Sequence, residues 1–222
     1  MNTTKHEIRS TYEMIADSFA GTRTRPWDEV REFIDRLPRA ARVLDLGCGN
    51  GRHARLFAAQ GHPTVGLDFS RRLLVIGRRD ERREESPGRI AWLEAEGTTL
   101  PLRDGTFDAC LCVAVLHHLP TRGERLAALR EIRRVLRPDG VVFVSVWSRE
   151  QPRFATAGTS ERVSEDGDVQ VPWTMPDGSS IPRFYHLFQE GELERLIIES
   201  GLQGERFFSA SGNHFAMAKN DG

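Results

Sequence analysis

Apolar positions along the chain fall into short runs at fairly regular intervals. Val43–Leu46, Thr64–Leu67, Ile90–Leu93, Asp108–Val113 and Val141–Val146 are rich in β-branched or apolar side chains, the pattern of buried strands. Between most of them lie stretches with helical spacing: Arg52–Gln60, Arg71–Arg83 and Gly123–Leu136. Such alternation predicts an α/β chain, with a mainly parallel sheet covered by helices on both faces. Arg137-Pro138-Asp139-Gly140 reads as a turn into the fifth strand. An amphipathic stretch, Glu190–Ser200, follows, and then two β-like stretches, Gly204–Ser209 and His214–Ala218. Together these predict seven strands, the last two forming an antiparallel hairpin.

Two segments stand outside this rhythm. Residues 1–41 carry a helix pattern around Ile8–Phe19 and then the run Gly21-Thr22-Arg23-Thr24-Arg25-Pro26-Trp27. Residues 148–188 are rich in Pro, Gly and charge and lack periodicity. A structureless stretch of that length in a compact domain is usually functional or disordered. Its Phe154, Trp173, Phe184 and Tyr185 argue for an ordered loop over an active site. The 222 residues thus read as a single domain with an N-terminal covering segment and one insertion.

Composition narrows the function classes. No apolar run approaches the roughly 18 residues of a membrane span, and Met1–His6 has no signal-peptide core. Three cysteines, Cys48, Cys110 and Cys112, give neither a disulfide framework nor a Cys-x-x-Cys zinc pair, and a cytoplasmic chain is expected. The net charge of −1 predicts no global attraction to nucleic acid, so any such binding must use local patches. Of 31 basic residues, only Lys5 and Lys219 are lysines. Arginines cluster on the helices at 71–83 and 122–137, where solvated faces paired with nearby Glu are the plain expectation.

The chemistry is carried by Val43-Leu44-Asp45-Leu46-Gly47-Cys48-Gly49-Asn50-Gly51. A strand, an acid and three alternate glycines lead into a helix N-terminus. Glycine allows a sharp turn and close ligand approach, and the helix N-terminus offers free N–H groups. The next strand ends at Asp68, placed for a ribose hydroxyl pair. The spacing is neither the dinucleotide fingerprint nor a phosphate loop. It resembles motif I of the class I S-adenosylmethionine-dependent methyltransferases, which implies a Rossmann-like fold and that cofactor. By the same resemblance, Asp45 would orient the glycine loop or receive the cofactor's ammonium group. Glu96 would accept from the adenine amino group while the Gly97 N–H donates to the ring. Phe69 and Val113 would complete the wall.

Ala114-Val115-Leu116-His117-His118 leaves the fourth strand at the sheet's carboxyl edge, where open α/β folds bind ligands. Adjacent histidines rarely converge on one ion, so no metal is expected; one His should border the substrate pocket while the other packs. Further stretches sharpen the resemblance: Arg23-Thr24-Arg25-Pro26-Trp27, Val146–Gln151, Asp168–Trp173 and Arg183–Phe188. With the glycine loop, they look like the tRNA wobble-uridine carboxymethyl methyltransferases over nearly the whole chain. The resemblance implies a tRNA anticodon loop as substrate and esterification of 5-carboxymethyluridine; a small-molecule methyltransferase of the quinone or natural-product type is the alternative. It makes Arg23, His117 and Asp168 candidates for catalysis, and Arg25, Trp27, Trp173, Arg183, Tyr185 and His186 candidates for substrate binding. Core packing for the tryptophans and loop anchoring for Tyr185 and His186 remain alternatives. Asp168 is expected to pair with a neighbouring Arg.

The expected strand order, 3-2-1-4-5-7-6, leaves Ile90–Leu93 at an edge with apolar residues on both faces. Such an edge needs a cover. The resemblance implies a small zinc-binding activator protein docking there by strand addition; the N-terminal helix is the alternative cover.

Overall fold

The computed structural model describes residues 3–84, 88, 90–155 and 163–222. Its strands are β1 (Val43–Leu46), β2 (Thr64–Asp68), β3 (Ile90–Glu94), β4 (Phe107–Val113), β5 (Leu136–Trp147), β6 (Asp168–Thr174), β7 (Ser180–His186), β8 (Gln203–Ala210) and β9 (Asn213–Lys219). Seven of these form one sheet in the order β3-β2-β1-β4-β5-β9-β8. The first five are parallel, and β9 and β8 run antiparallel, as expected from the sequence.

The helices are α1 (Lys5–Gly21), α2 (Asp28–Ile34), α3 (Arg52–Ala59), α4 (Arg71–Arg83), α5 (Arg122–Val135), α6 (Pro152–Ala155) and α7 (Glu192–Glu199). Helices α1 and α5 open with reciprocal capping boxes, Thr4 with Glu7 and Thr121 with Glu124, and the Ser70 side chain caps α4. Alternation along β5 and β9 sorts the two cores. Val142, Val144 and Ala216 pack with α5 and α7, while Phe143, Phe215 and Met217 pack with α2 and α3. Trp92 fills the space between α3 and α4, where a Cβ on Gly51 or Gly77 would lie 2.2 or 2.5 Å from its ring.

Three features differ from the sequence reading. The predicted turn at 137–140 lies inside β5: Asp139 has φ 61° and the pairing with β4 shifts between Phe107 and Ala109, so the turn residues survive as an irregularity in a longer strand. Helix α2 was not predicted. Most importantly, the segment taken as aperiodic holds a second sheet, β6 paired antiparallel with β7. Val169 and Val171 alternate inward there with Trp173, a period of two that the prolines Pro172 and Pro182, opposite one another, obscure. Residues 156–162 of that insertion lie outside the described residues. No described helix is long and apolar enough to cross a membrane.

Candidate active site

The carboxyl ends of β1, β2 and β4 converge on a pocket enclosing about 820 Å³ of atom-free space, part of it open to solvent. Gly47 and Gly49 form one wall, Asp68 and Phe69 another, Glu96 and Gly97 a third, and Ala114, Val115 and His118 a fourth; Ile8, Tyr12 and Phe19 of α1 cover it. Gly47 has φ 69° and Val115 lies 2.3 Å from where its Cβ would be; Gly49 has φ 55° and a Cβ there would meet nothing within 4 Å. The first glycine is needed for packing as well as conformation. The second keeps space open.

Asp68 is the hub of this loop. Its Oδ2 accepts the Gly49 N–H and its Oδ1 the Ser70 N–H, both at 2.8 Å. Burial pushes its carboxyl up to about 6 against those hydrogen bonds. Each oxygen retains acceptor capacity, so a ribose diol fits here. Asp45 is buried behind the loop, and its Oδ2 has no hydrogen-bond partner. Burial raises its carboxyl to about 7 despite the Ala54 N–H and Arg52. An orphaned buried acid beside an open glycine loop fits a cationic ligand group.

Glu96 lines the pocket but is already engaged. Its Oε2 accepts from Lys5 Nζ at 2.9 Å and its Oε1 from the Thr98 N–H at 3.0 Å. Burial would raise this carboxyl, but the Thr98 and Lys5 hydrogen bonds outweigh it and hold it low. An adenine amino group would have to share this carboxylate with Lys5. Asn50 and Gly51 stand behind the pocket wall. The Asn50 side chain ties the loop to the end of α1 and the segment after it through the Ala20 and Arg23 carbonyls, at 3.4 and 3.1 Å. Gly51, at φ 72°, starts α3 under Trp92. Val113 packs into the core with α2 and α3, and the wall residues at this place are Ala114 and Val115.

The histidine pair divides its tasks, one bordering the pocket and the other packed. His118 lines the pocket; its Nε2 accepts from the Tyr12 hydroxyl at 2.9 Å, and its Nδ1 donates to the Phe184 carbonyl at 3.1 Å. Burial drives its pKa down to about 3. His117 is buried, and its Nδ1 accepts the Trp147 N–H at 3.0 Å. Its ring stacks on Tyr185 at 5.0 Å, and burial, with His118 and Arg183 nearby, keeps it uncharged.

Beyond His118, β6 and β7 surround Arg183 with aromatic rings. This guanidinium is 5% exposed, with its carbon 4.8 Å from the Trp173 ring centre and 5.2 Å from that of Tyr185. Nη1 donates to the Tyr185 hydroxyl at 2.7 Å, Nε has no partner, and Arg183 has no ion pair among the described residues. Tyr185 stacks on Trp147 at 4.3 Å. Trp173 donates from Nε1 to Ser18 Oγ at 2.8 Å, which anchors the hairpin to α1.

Asp168 pairs with His186, not with an arginine. His186 Nδ1 lies 2.9 Å from Asp168 Oδ1, and its Nε2 lies 2.8 Å from Glu192 Oε1. The arrangement pins the hairpin base to α7. Arg23 and Arg25 lie on the segment after α1; Arg23 sits over Phe19 at 4.8 Å, and Arg25 is exposed. Trp27 packs partly into the core, 6.2 Å from Phe215. Sequence reasoning missed Tyr12 and Phe19 as wall residues, for which the one available signal was the apolar face of α1; of the histidines it said only that one borders a pocket. Among the described residues no group of three or more His, Cys, Asp or Glu could hold a metal ion.

A family profile described as "Methyltransferase domain" matches residues 44–144. The chain is 30% identical to the tRNA (carboxymethyluridine(34)-5-O)-methyltransferase of Schizosaccharomyces pombe, over 87% of each chain. It is 31% identical to tRNA (carboxymethyluridine(34)-5-O)-methyltransferase alkbh8 of Xenopus tropicalis over 85% of this chain, spanning 36% of that longer protein. Among solved structures, the CcbJ methyltransferase from Streptomyces caelestis superposes with a TM-score of 0.74 at 20% identity, covering 94% of this chain and 95% of that one. A chain from the complex between the Haloferax volcanii Trm112 methyltransferase activator and the putative methyltransferase gives 0.72 at 16% identity, covering 97% of this chain and 98% of that one. These two structures share the fold.

Proposed function

Because this chain belongs to the tRNA (carboxymethyluridine(34)-5-O)-methyltransferase family, we propose that it uses S-adenosylmethionine to esterify 5-carboxymethyluridine at the wobble position of the tRNA anticodon, giving 5-methoxycarbonylmethyluridine. The observation that carries this reading is Arg183, a buried cation with an unpartnered Nε and no ion pair among the described residues. Burying an unpaired charge is costly, and a substrate carboxylate would supply the missing partner.

Asp68 would hold the cofactor's ribose and the glycine loop its amino-acid end, while Asp45, buried behind that loop, would answer its cationic groups through its charge alone. When bound, the cofactor supplies an electrophilic methyl on sulfonium sulfur. The carboxylate oxygen would take that methyl as its bond to sulfur breaks, and no proton would move. A carboxylate of pKa about 4 is already ionised at neutral pH, so the chain needs no general base; the neutral His117 and His118 suit that. Arg183 is held back by Tyr185, which takes its Nη1. It can therefore orient the carboxylate without gripping it through every donor, which would stabilise the ground state. Positioning supplies the rest of the acceleration. Arg23 would reach substrate from the other side, while His117 and Asp168 support the chamber through Tyr185 and His186.

A small activator protein is the proposed partner, docking by strand addition along β3. That strand is an edge, and α1 touches its carboxyl end through the Arg9–Glu94 pair without hydrogen-bonding along it. The reading is tested by incubating the protein, with and without the activator, with tRNA from a strain lacking the ester. Nucleoside mass spectrometry should show 5-methoxycarbonylmethyluridine. No tRNA product under either condition, with methyl incorporation into a lipid or quinone extract, would overturn it.

A further inference from the structure

A second groove lies outside the cofactor pocket, between the segment 22–29 and the β8–β9 turn. Thr24, Arg25, Trp27, Arg52 and Asn213 line it. Arg52 donates from Nη1 to the Arg25 carbonyl at 3.2 Å, and its guanidinium lies over the Trp27 ring at 5.5 Å. Arg23, Arg25 and Arg52 make no ion pair among the described residues, and the groove's acids, Asp28 and Glu29, stand beside them; Asp28 lies 3.9 Å from Arg31.

The charge of this cluster is poorly answered. Burial, and then the charge of Arg23, lower the Arg52 pKa to about 10, with buried Asp45 opposing. Arg23 also sits over Phe19, which lines the cofactor pocket. A track of guanidinium groups thus runs from the pocket mouth into the groove. A guanidinium laid on an indole gives a flat cationic face suited to an unstacked base, and its free donors suit phosphate.

We propose that this groove binds the ribose-phosphate backbone of single-stranded RNA next to the modified nucleotide, with Arg52 and Arg25 on phosphates and the Arg52–Trp27 pair as a base platform. The inference rests on the tRNA reading but adds a contact site for neighbouring nucleotides, and Arg52 as a residue of it.

The test is binding of an anticodon stem-loop RNA bearing unmodified uridine, in the presence of S-adenosylhomocysteine and at several salt concentrations, so that it does not depend on turnover. Arg52→Gln and Arg25→Gln should each weaken RNA binding about three- to tenfold and reduce the slope of log K against log salt by roughly 0.7. Arg130→Gln, at an exposed position of α5, should change neither. For Arg25→Gln, which is exposed, S-adenosylhomocysteine affinity and thermal midpoint should stay at wild-type values. Unchanged affinity and salt slope in both groove variants would overturn the proposal, even if wild-type protein methylates tRNA. If the variants lose RNA binding but the wild-type protein makes no ester, the groove stands and the substrate assignment fails.

Discussion

Arg183 donates to the Tyr185 hydroxyl at 2.7 Å while its Nε stays without a partner in a chamber of aromatic rings. That pairing makes a sharp expectation. Arg183→Gln should lower kcat on carboxymethyl-tRNA by about tenfold to a hundredfold, the scale of a charge-assisted hydrogen bond of roughly 1.5–3 kcal/mol. Cofactor affinity, measured by calorimetry, should hold. Tyr185→Phe, which frees Nη1 and keeps the ring, should have the smaller effect. Equal rates for Arg183→Gln and wild type would remove the carboxylate from this chamber.

The glycine loop separates binding from folding. A side chain at Gly49 enters open space, whereas one at Gly47 runs into Val115. Gly49→Val should therefore abolish S-adenosylhomocysteine binding while the protein still folds, with some destabilisation from the positive φ. Gly47→Val should also lower soluble yield. Asp68→Ala should lose binding and loosen the loop together, because the same carboxylate holds the Gly49 and Ser70 N–H groups. Calorimetric affinity within twofold of wild type in Gly49→Val and Asp68→Ala would reject this pocket.

Asp45 and Asp68 make binding pH-dependent. Their carboxyls are raised to about 7 and about 6 by burial. The folded free protein therefore keeps protons that the unfolded chain has lost, and these two groups favour folding at the acid end and cost stability as pH rises through that window. A cationic ligand beside Asp45 and a diol on Asp68 both favour the ionised carboxylates. Binding should thus expel protons near pH 6 and weaken as pH falls. Titrations at pH 6 in buffers of different ionisation enthalpy should give different heats, and Asp45→Asn should shrink the difference. Identical heats for wild type would show that neither acid faces the ligand.

Much of the pocket beside the glycine loop was legible in the sequence because local patterns carry it. Gly47, Gly49 and Asp68 sit at strand ends, and period and turn chemistry specify them locally. The wall formed by Tyr12 and His118 was harder. It arises where α1 folds back over the sheet, a contact between residues 106 positions apart that no local pattern encodes. The β6–β7 hairpin hid behind its prolines, and with it the chamber around Arg183. Asp168 was assigned an arginine partner, but register places it opposite His186.

The last expectation concerns the edge strand. From sequence, Ile90–Leu93 is an edge with apolar residues on both faces, and Trp92→Lys would be the natural disruption of a partner docked there. In the structure its ring is wedged between Gly51 and Gly77, and its Nε1 donates to Glu81 at 2.8 Å. Trp92→Lys would damage the core and says nothing about docking. The groups open to a partner are backbone. The Ala95 N–H pairs inward with Asp68 at 3.1 Å, so by strand alternation Ile90, Trp92 and Glu94 present their N–H and C=O groups outward. Two of these are already occupied by α4: the Ile90 N–H donates to Glu81 at 2.9 Å, and the Trp92 carbonyl accepts from Arg78 at 3.1 Å. A docking strand must displace or accommodate these side chains. Arg78→Ala, which frees the Trp92 carbonyl, should tighten activator binding severalfold. Glu94→Pro, which removes an outward N–H without breaking the pairing to β2, should weaken it by a similar factor. Size-exclusion and calorimetric titration with the activator would measure both. No change in either variant would move the activator away from β3.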